Sequence, residues 1–120
     1  MSEPLPNPVV HLELRTENLS RACAFYTGLF GWSVDTFRVG SQAYLALELG
    51  KGINGGVVER DGEQPAWLPY VEVADIAEAT KHGRRLGATV RLEPREGPAG
   101  WRSVLAVPAG AEIALWQPKV

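Results

Sequence analysis

Sulfur is nearly absent from this chain: one cysteine stands among 120 residues, so no intrachain disulfide is available to hold the fold together. Nor does it need one. A chain of this length forms one domain that buries roughly two-thirds of its unfolded surface. No apolar run approaches the roughly 20 residues of a spanning helix. The N-terminus shows no basic segment leading into an apolar stretch, so the expected location is the cytoplasm and the membrane is not an expected partner. Charge of one sign is also lacking. Twelve Lys and Arg stand against fourteen Asp and Glu, interspersed, for a net charge of -2. Without a polycationic face, nucleic acid is not an expected partner either. There is no Gly-x-Ser-x-Gly elbow. The glycines at 50, 52, 55 and 56 do not match a phosphate loop, because the lysine beside them, Lys51, precedes the run instead of ending it. Close backbone approach in a strongly curved sheet explains them better.

What the chain does have is a repeat. The stretch from Pro8 to Val34 and the stretch from Pro65 to Val90 share a strand, a capped helix, a glycine stop and a returning strand. Pro8 matches Pro65, Asn18 matches Asp75, Leu19 matches Ile76, Ala22 matches Ala79 and Leu29 matches Leu86. With a one-residue gap, Gly31 then matches Gly87 and Val34 matches Val90. A repeat of this length is a supersecondary module, and two modules imply a cleft between them.

Residues 1–7, with two prolines, read as an extended lead-in. The first strand is expected at Val9 to Arg15, with Val9, His11 and Glu13 on one face and Val10, Leu12 and Leu14 on the helix-facing side. Thr16 or Asn18 caps a helix whose Leu19, Ala22, Cys23, Tyr26, Leu29 and Phe30 recur at the spacing of one buried stripe. Gly31 ends it. Strands follow at Trp32 to Val39 and Ala43 to Leu49, turning at Gly40 and Ser41, and another lies within residues 50–59. Residues 61–65 (DGEQP) are the linker. A strand at Ala66 to Val73 then leads to a helix capped by Asp75. That helix turns Ile76, Ala79, Thr80, Gly83 and Leu86 inward and Glu78, Lys81, Arg84 and Arg85 outward, and Gly87 stops it. Strands at Ala88 to Glu93, Trp101 to Val107 and Glu112 to Gln117 complete the set, with PREGPAG as a loop and PAG as a tight turn.

The doubled βαβββ order resembles the vicinal oxygen chelate superfamily of glyoxalase I, bleomycin-resistance proteins and extradiol dioxygenases. The segments that carry the likeness are FYTGLFGW closing the first helix, VEVADIAEA opening the second and VPAGAEIALWQ at the end. The resemblance covers residues 8–118. It implies an α+β fold in which two βαβββ modules, 8–60 and 65–118, form an incomplete barrel around one ligand site. The superfamily's metalloenzymes take His, Gln or Glu ligands from the first and last strands of the modules. Of those positions only His11 carries a matching residue. Its counterpart in the second module is Leu68, the last-strand position there is Ala114, and the last-strand position of the first module falls among Asn54, Gly55 and Gly56. An enzymatic divalent metal needs three or more suitable protein ligands. No cofactor is therefore expected, and a divalent metal is disfavoured.

His11 and Glu13 sit two apart on a strand and emerge on the same side. As functional groups they are a general base, a remnant metal site or a polar anchor for a ligand. As structural groups they are an imidazole held by a neighbouring carboxylate or backbone group, or a dimer contact. Glu112 shares a strand face with Ala114 and is an alternative, shifted metal ligand. Four tryptophans are many for this length. Glu112, Ala114 and Trp116 share one face of the last strand, and Leu68 and Tyr70 share a face of His11's kind. Together they offer an aromatic, largely apolar wall suited to a ring-containing small molecule. Trp101 and Arg102 follow a glycine loop and are expected at the rim, while Trp32 is expected in the core. His82 is a solvated residue on the polar side of the second helix, and Cys23 is a small hydrophobe of the first helix stripe.

Three functions compete on these residues, the blandest being a structural or regulatory partner whose cleft binds only protein. The first is binding of a small, apolar or ring-containing molecule without the full metal site. The second is catalysis as a lyase, isomerase or dioxygenase, with shifted metal ligands or with His11 and Glu13 as acid and base. The resemblance also implies a homodimer.

Overall fold

The computed structural model of the chain describes residues 7–39, 42–50 and 53–119. Ten elements follow one another: β1 (Val9–Thr16), α1 (Leu19–Phe30), β2 (Val34–Val39), β3 (Gln42–Glu48), β4 (Asn54–Glu59), β5 (Ala66–Glu72), α2 (Ile76–Arg85), β6 (Thr89–Glu96), β7 (Gly100–Ala106) and β8 (Glu112–Pro118). The α+β class and the βαβββ order are thus present, the latter twice. Packing divides the chain into two compact units, Val10–Leu68 and Pro69–Val120 with Met1–Val9, so the division falls inside β5. The turn expected at Gly40 and Ser41 lies outside the described residues.

In the first unit the strands run in the order β2-β3-β4-β1, with β1 parallel to β4 and the other neighbours antiparallel. Alternation along β1 sends Leu14 into a buried cluster with Leu45, Leu47 and Val57, and Leu19, Ala22, Cys23, Tyr26 and Trp32 pack against it. Each such side chain contributes about 1.5–3 kcal/mol on full burial, so this cluster and not helix propensity fixes α1. Asn18 is the N-cap: its side-chain oxygen accepts from the Arg21 N–H at 3.0 Å, while its own N–H donates to the Thr16 hydroxyl at 3.2 Å. At the other end Gly31 adopts φ 70, a left-handed conformation that disfavours a side chain, and its N–H closes on Thr27. The expected stripe overruns the cluster. Leu29 and Phe30 are 59% and 56% exposed, and Phe30 packs its ring against Trp32 at 4.7 Å.

The second unit repeats the arrangement as β5-β8-β7-β6, with β5 parallel to β8. Val73, Ile76, Leu105 and Leu115 form its buried cluster, joined by Ala79, Ala88, Val90, Trp101 and Ile113. Asp75 caps α2 by accepting from the Glu78 N–H at 3.1 Å. Leu86, expected inward, is 70% exposed. It is the C-cap residue with φ -84 and ψ 3, so it has already left the helical phase that would turn it to the cluster. The segment PREGPAG is shorter as a loop than expected, since β6 continues to Glu96 and β7 begins at Gly100. The pairing shifts register between Val90 and Leu92 and again between Leu92 and Arg95, and Pro94 falls within the second shift. A proline without an N–H is tolerated at such an irregularity. Among the described residues no helix is long and apolar enough to cross a membrane.

Candidate functional site

In the first unit the sheet face opposite α1 is built from β1, β3 and β4. His11, Glu13 and Arg15 alternate along β1, so all three leave the strand on one side. Glu13 is buried, and the Arg15 guanidinium stands 3.9 Å from its carboxylate. The Tyr44 hydroxyl lies 3.3 Å from His11 Nε2. Burial lowers the His11 pKa below its ordinary 6.5, and the Glu13 carboxylate opposes that shift only in part. At neutral pH the imidazole is therefore uncharged, and it accepts or donates at Nε2 according to its tautomer.

Gly56 explains how Tyr44 reaches His11. A Cβ built on Gly56 would run into the Tyr44 ring, its hydroxyl first. Gly55 is approached in the same way by Leu49. The close approach expected at the glycines exists at 55 and 56, where side chains make it; at Gly50 a Cβ would meet nothing within 4 Å and the φ of 90 accounts for the glycine instead, while residue 52 lies outside the described residues.

In the second unit the corresponding face carries Tyr70 from β5, Arg102 from β7 and Glu112, Ala114 and Trp116 from β8. The register sets Tyr70 opposite Ala114 and Arg102 opposite Trp116. Arg102 Nη1 donates to the Tyr70 hydroxyl at 3.0 Å. Glu112 faces Arg91 at 3.6 Å, an ion pair that holds the carboxylate proposed as a shifted ligand. Trp101 requires a correction. It lies in the α2-side cluster with Leu105 and Leu115 and carries the Lys119 ammonium 5.6 Å from its ring centroid. Neighbouring strand residues point to opposite faces, so Trp101 and Arg102 cannot line one wall. Trp67 likewise turns to its helix, donating from Nε1 to the Tyr26 hydroxyl at 3.3 Å.

The register also decides among Asn54, Gly55 and Gly56. Ala114 stands opposite Tyr70 on the parallel neighbour of β5, and Gly56 stands opposite Glu13 on the parallel neighbour of β1. Gly56 is therefore the first-unit equivalent of Ala114. Of the positions where the superfamily draws metal ligands, Leu68 is 2% exposed, Ala114 is 0% exposed, and Gly56 has no side chain. Hydrocarbon offers no lone pair, so this donor set does not fit a divalent metal. Among the described residues no three His, Cys, Asp or Glu side chains are grouped to hold one. Tyr44 and Arg91 were not singled out from the sequence. Tyr44 carries no motif, and only the gap at Gly56 signals that something large must cover it.

The glyoxalase-like domain family matches residues 9–116. Curated relatives named "Putative glyoxylase CFP32", from Mycobacterium bovis and Mycobacterium tuberculosis, are each 31% identical over 118 residues, covering 88% of this chain and 44% of theirs. The chain thus spans under half the length of those relatives. Among solved structures, a hypothetical protein from Bacillus halodurans superposes with a TM-score of 0.73 at 16% identity, covering 95% of this chain and 96% of that one. Methylmalonyl-CoA epimerase from Mycobacterium tuberculosis gives 0.68 at 17% identity, covering 93% and 88%. At such identities these two show the fold alone. The family match, which takes in both βαβββ repeats, decides the matter: the chain belongs to the glyoxalase-like domain family of the vicinal oxygen chelate superfamily.

Proposed function

We propose that this chain is a glyoxalase- or bleomycin-resistance-like protein that binds a small, apolar or ring-containing molecule and lacks the superfamily's full metal site. One observation carries the reading: Leu68 and Ala114, at positions where metalloenzymes place donors, are buried hydrocarbon at 2% and 0% exposure. Each unit's sheet face carries its own polar point for a ligand, His11 with Tyr44 on one and Tyr70 with Arg102 on the other. The protein acts in the cytoplasm, consistent with its lone cysteine. It pairs with a second copy; Phe25, Leu29 and Phe30 leave an apolar surface on α1 that is 61%, 59% and 56% exposed, and association would cover it.

Native mass spectrometry of protein purified without chelator tests this. A dimer retaining an organic mass and no metal is expected. A mass increment of one zinc, nickel, manganese or iron per chain would sink the metal-free reading, and a single-chain mass would sink the pairing.

A second reading is supported by His11. A half-buried, uncharged imidazole beside a buried carboxylate can serve as a general base, so a metal-free isomerase or lyase using His11 and Glu13 fits the same face. Assays of proton exchange next to a ketone carbonyl separate the two. Turnover that survives His11→Ala would exclude catalysis by that residue.

A further inference from the structure

The two helices hold matching places in the repeat, yet they differ in what covers them. Helix α2 buries Ile76 and Thr80, whereas no residue of α1 is buried. Phe25, Leu29 and Phe30 are 61%, 59% and 56% exposed. Phe25 and Leu29 are four apart and share a helix face, and the Tyr26 ring meets those of both Phe25 and Phe30, at 5.2 and 6.4 Å. Side chains of this size leave on the order of a few hundred Å² of apolar surface together, as large as the patches by which proteins associate. The other exposed large hydrophobics, Val9, Ile53 and Leu86, fall at three separate places along the chain.

Charge separates the helices as well. Glu78 stands in the first turn of α2 and His82, Arg84 and Arg85 in its last, each at the end that the helix dipole favours. In α1 the last turn has no basic residue and the first has no acidic one. Its first turn holds Arg21 instead, four residues before Phe25 and so on the same face. A cation there opposes the dipole of its own helix, and among the described residues it makes no ion pair.

One occupant answers both features: a second α1 laid across the first in the opposite direction. About a two-fold axis midway between Phe25 and Leu29, each Phe25 meets the partner's Leu29. Arg21 then lies about 9 Å from the axis along the helix, while Phe30, the last helical residue, lies about 4.5 Å from it. Each guanidinium therefore stands just past the partner's carbonyl end, which has no cation of its own. A parallel pair would instead set the two Arg21 side chains together.

We propose that α1 is the pairing surface of this protein and that two copies associate through antiparallel α1 helices, Phe25 against the partner's Leu29 and Arg21 against the C-terminal end of the partner's helix. This deepens the pairing stated above and rests on it.

Sedimentation equilibrium of the full chain and its variants tests the arrangement. Phe25→Glu and Leu29→Gln should each raise the dimer dissociation constant about thirtyfold or more, because two-fold symmetry removes each contact twice. Both sites are exposed, so neither change enters the buried cluster, and either one alone decides. Leu86→Gln, at the end of the other helix, should leave the constant unchanged. Arg21→Glu should raise it about tenfold, with Arg21→Lys close to wild type. In dilute, dissociated protein the same Arg21→Glu should raise the thermal midpoint, because an acidic side chain suits the first turn of its own helix. A dimer indifferent to Phe25→Glu or Leu29→Gln pairs by another surface, such as the outer edge of β2, and overturns the proposal while leaving the pairing intact. An Arg21→Glu dimer as tight as wild type also overturns it. A wild-type chain that stays single at every concentration removes the pairing itself, and this arrangement with it.

Discussion

The Glu59 carboxylate accepts a hydrogen bond from the Leu19 N–H at 3.0 Å, across 40 residues of sequence, so the end of β4 caps the start of α1. The second unit repeats the contact with a neutral group: the Gln117 side-chain oxygen accepts from the Ile76 N–H at 2.8 Å. Each helix thus has a local cap, Asn18 or Asp75, and a remote one from the last strand of its own unit. First-turn N–H groups otherwise lack partners. Replacing Gln117 with Ala should cost about 1 kcal/mol, since the Ile76 N–H is partly buried, and Glu59→Ala about the same or less. Urea unfolding midpoints with unchanged slopes would show it; an unchanged midpoint in Gln117→Ala would contradict the remote cap.

Thr80 and Ser103 form a buried hydroxyl pair between α2 and β7, 2.9 Å apart and 2% and 0% exposed. The Thr80 proton is directed to the Ile76 carbonyl at 2.6 Å, so Ser103 is the donor in the pair. Thr80→Val leaves the Ser103 hydroxyl buried without its acceptor and should cost about 1–3 kcal/mol. Ser103→Ala removes only the donor and should cost about 1 kcal/mol. The double variant should be more stable than the sum of the singles predicts, by about 0.5 kcal/mol or more in a double-mutant cycle. Additive losses would mean the hydroxyls do not interact.

His11 has a lowered pKa in the folded protein, so the unfolded chain binds its proton more readily. Its contribution to stability is fully present above the unfolded value of 6.5 and is lost as pH falls through the lower folded value, levelling off below both. Unfolding free energies of wild type should therefore decline on acidification from pH 7 relative to those of His11→Gln. Parallel pH profiles for the two proteins would refute the half-buried, neutral imidazole.

Gly100 and Gly28 should respond in opposite directions to alanine. A Cβ at Gly100 would strike the Gln117 carbonyl and come within 2.8 Å of the Trp116 ring and 3.0 Å of the Pro118 Cα, and the β8 backbone cannot step aside. Gly100→Ala should destabilise by about 1–3 kcal/mol. At Gly28, exposed on α1, a Cβ meets nothing within 4 Å, so Gly28→Ala should stabilise by about 0.5–1 kcal/mol through helix propensity. Thermal melts of the pair decide this, and a shared sign would count against the packing around β8.

These contacts also mark where sequence reading stops. The repeat, the caps Asn18 and Asp75 and the Gly31 stop are local patterns, and each emerges in its expected place. The ends of the helices are not so legible. Periodicity says which face Phe30 occupies but not where the partner sheet ends, and it cannot say that Leu86 has left helical phase. Remote caps, the Tyr44–His11 contact and the parallel register of Gly56 with Glu13 depend on strands brought together from tens of residues apart. A hydroxyl 33 residues from its imidazole leaves no spacing to read. What the sequence did show was Gly56 itself, a gap without its filler.

The central claim is that the architecture of a metal-binding superfamily is kept here without its donor set. Calorimetric titration of chelator-treated wild type and His11→Ala with zinc, nickel and manganese ions tests it most directly. The account predicts no saturable transition near one equivalent and the same traces for both proteins. A one-equivalent transition in wild type that disappears in His11→Ala would contradict it.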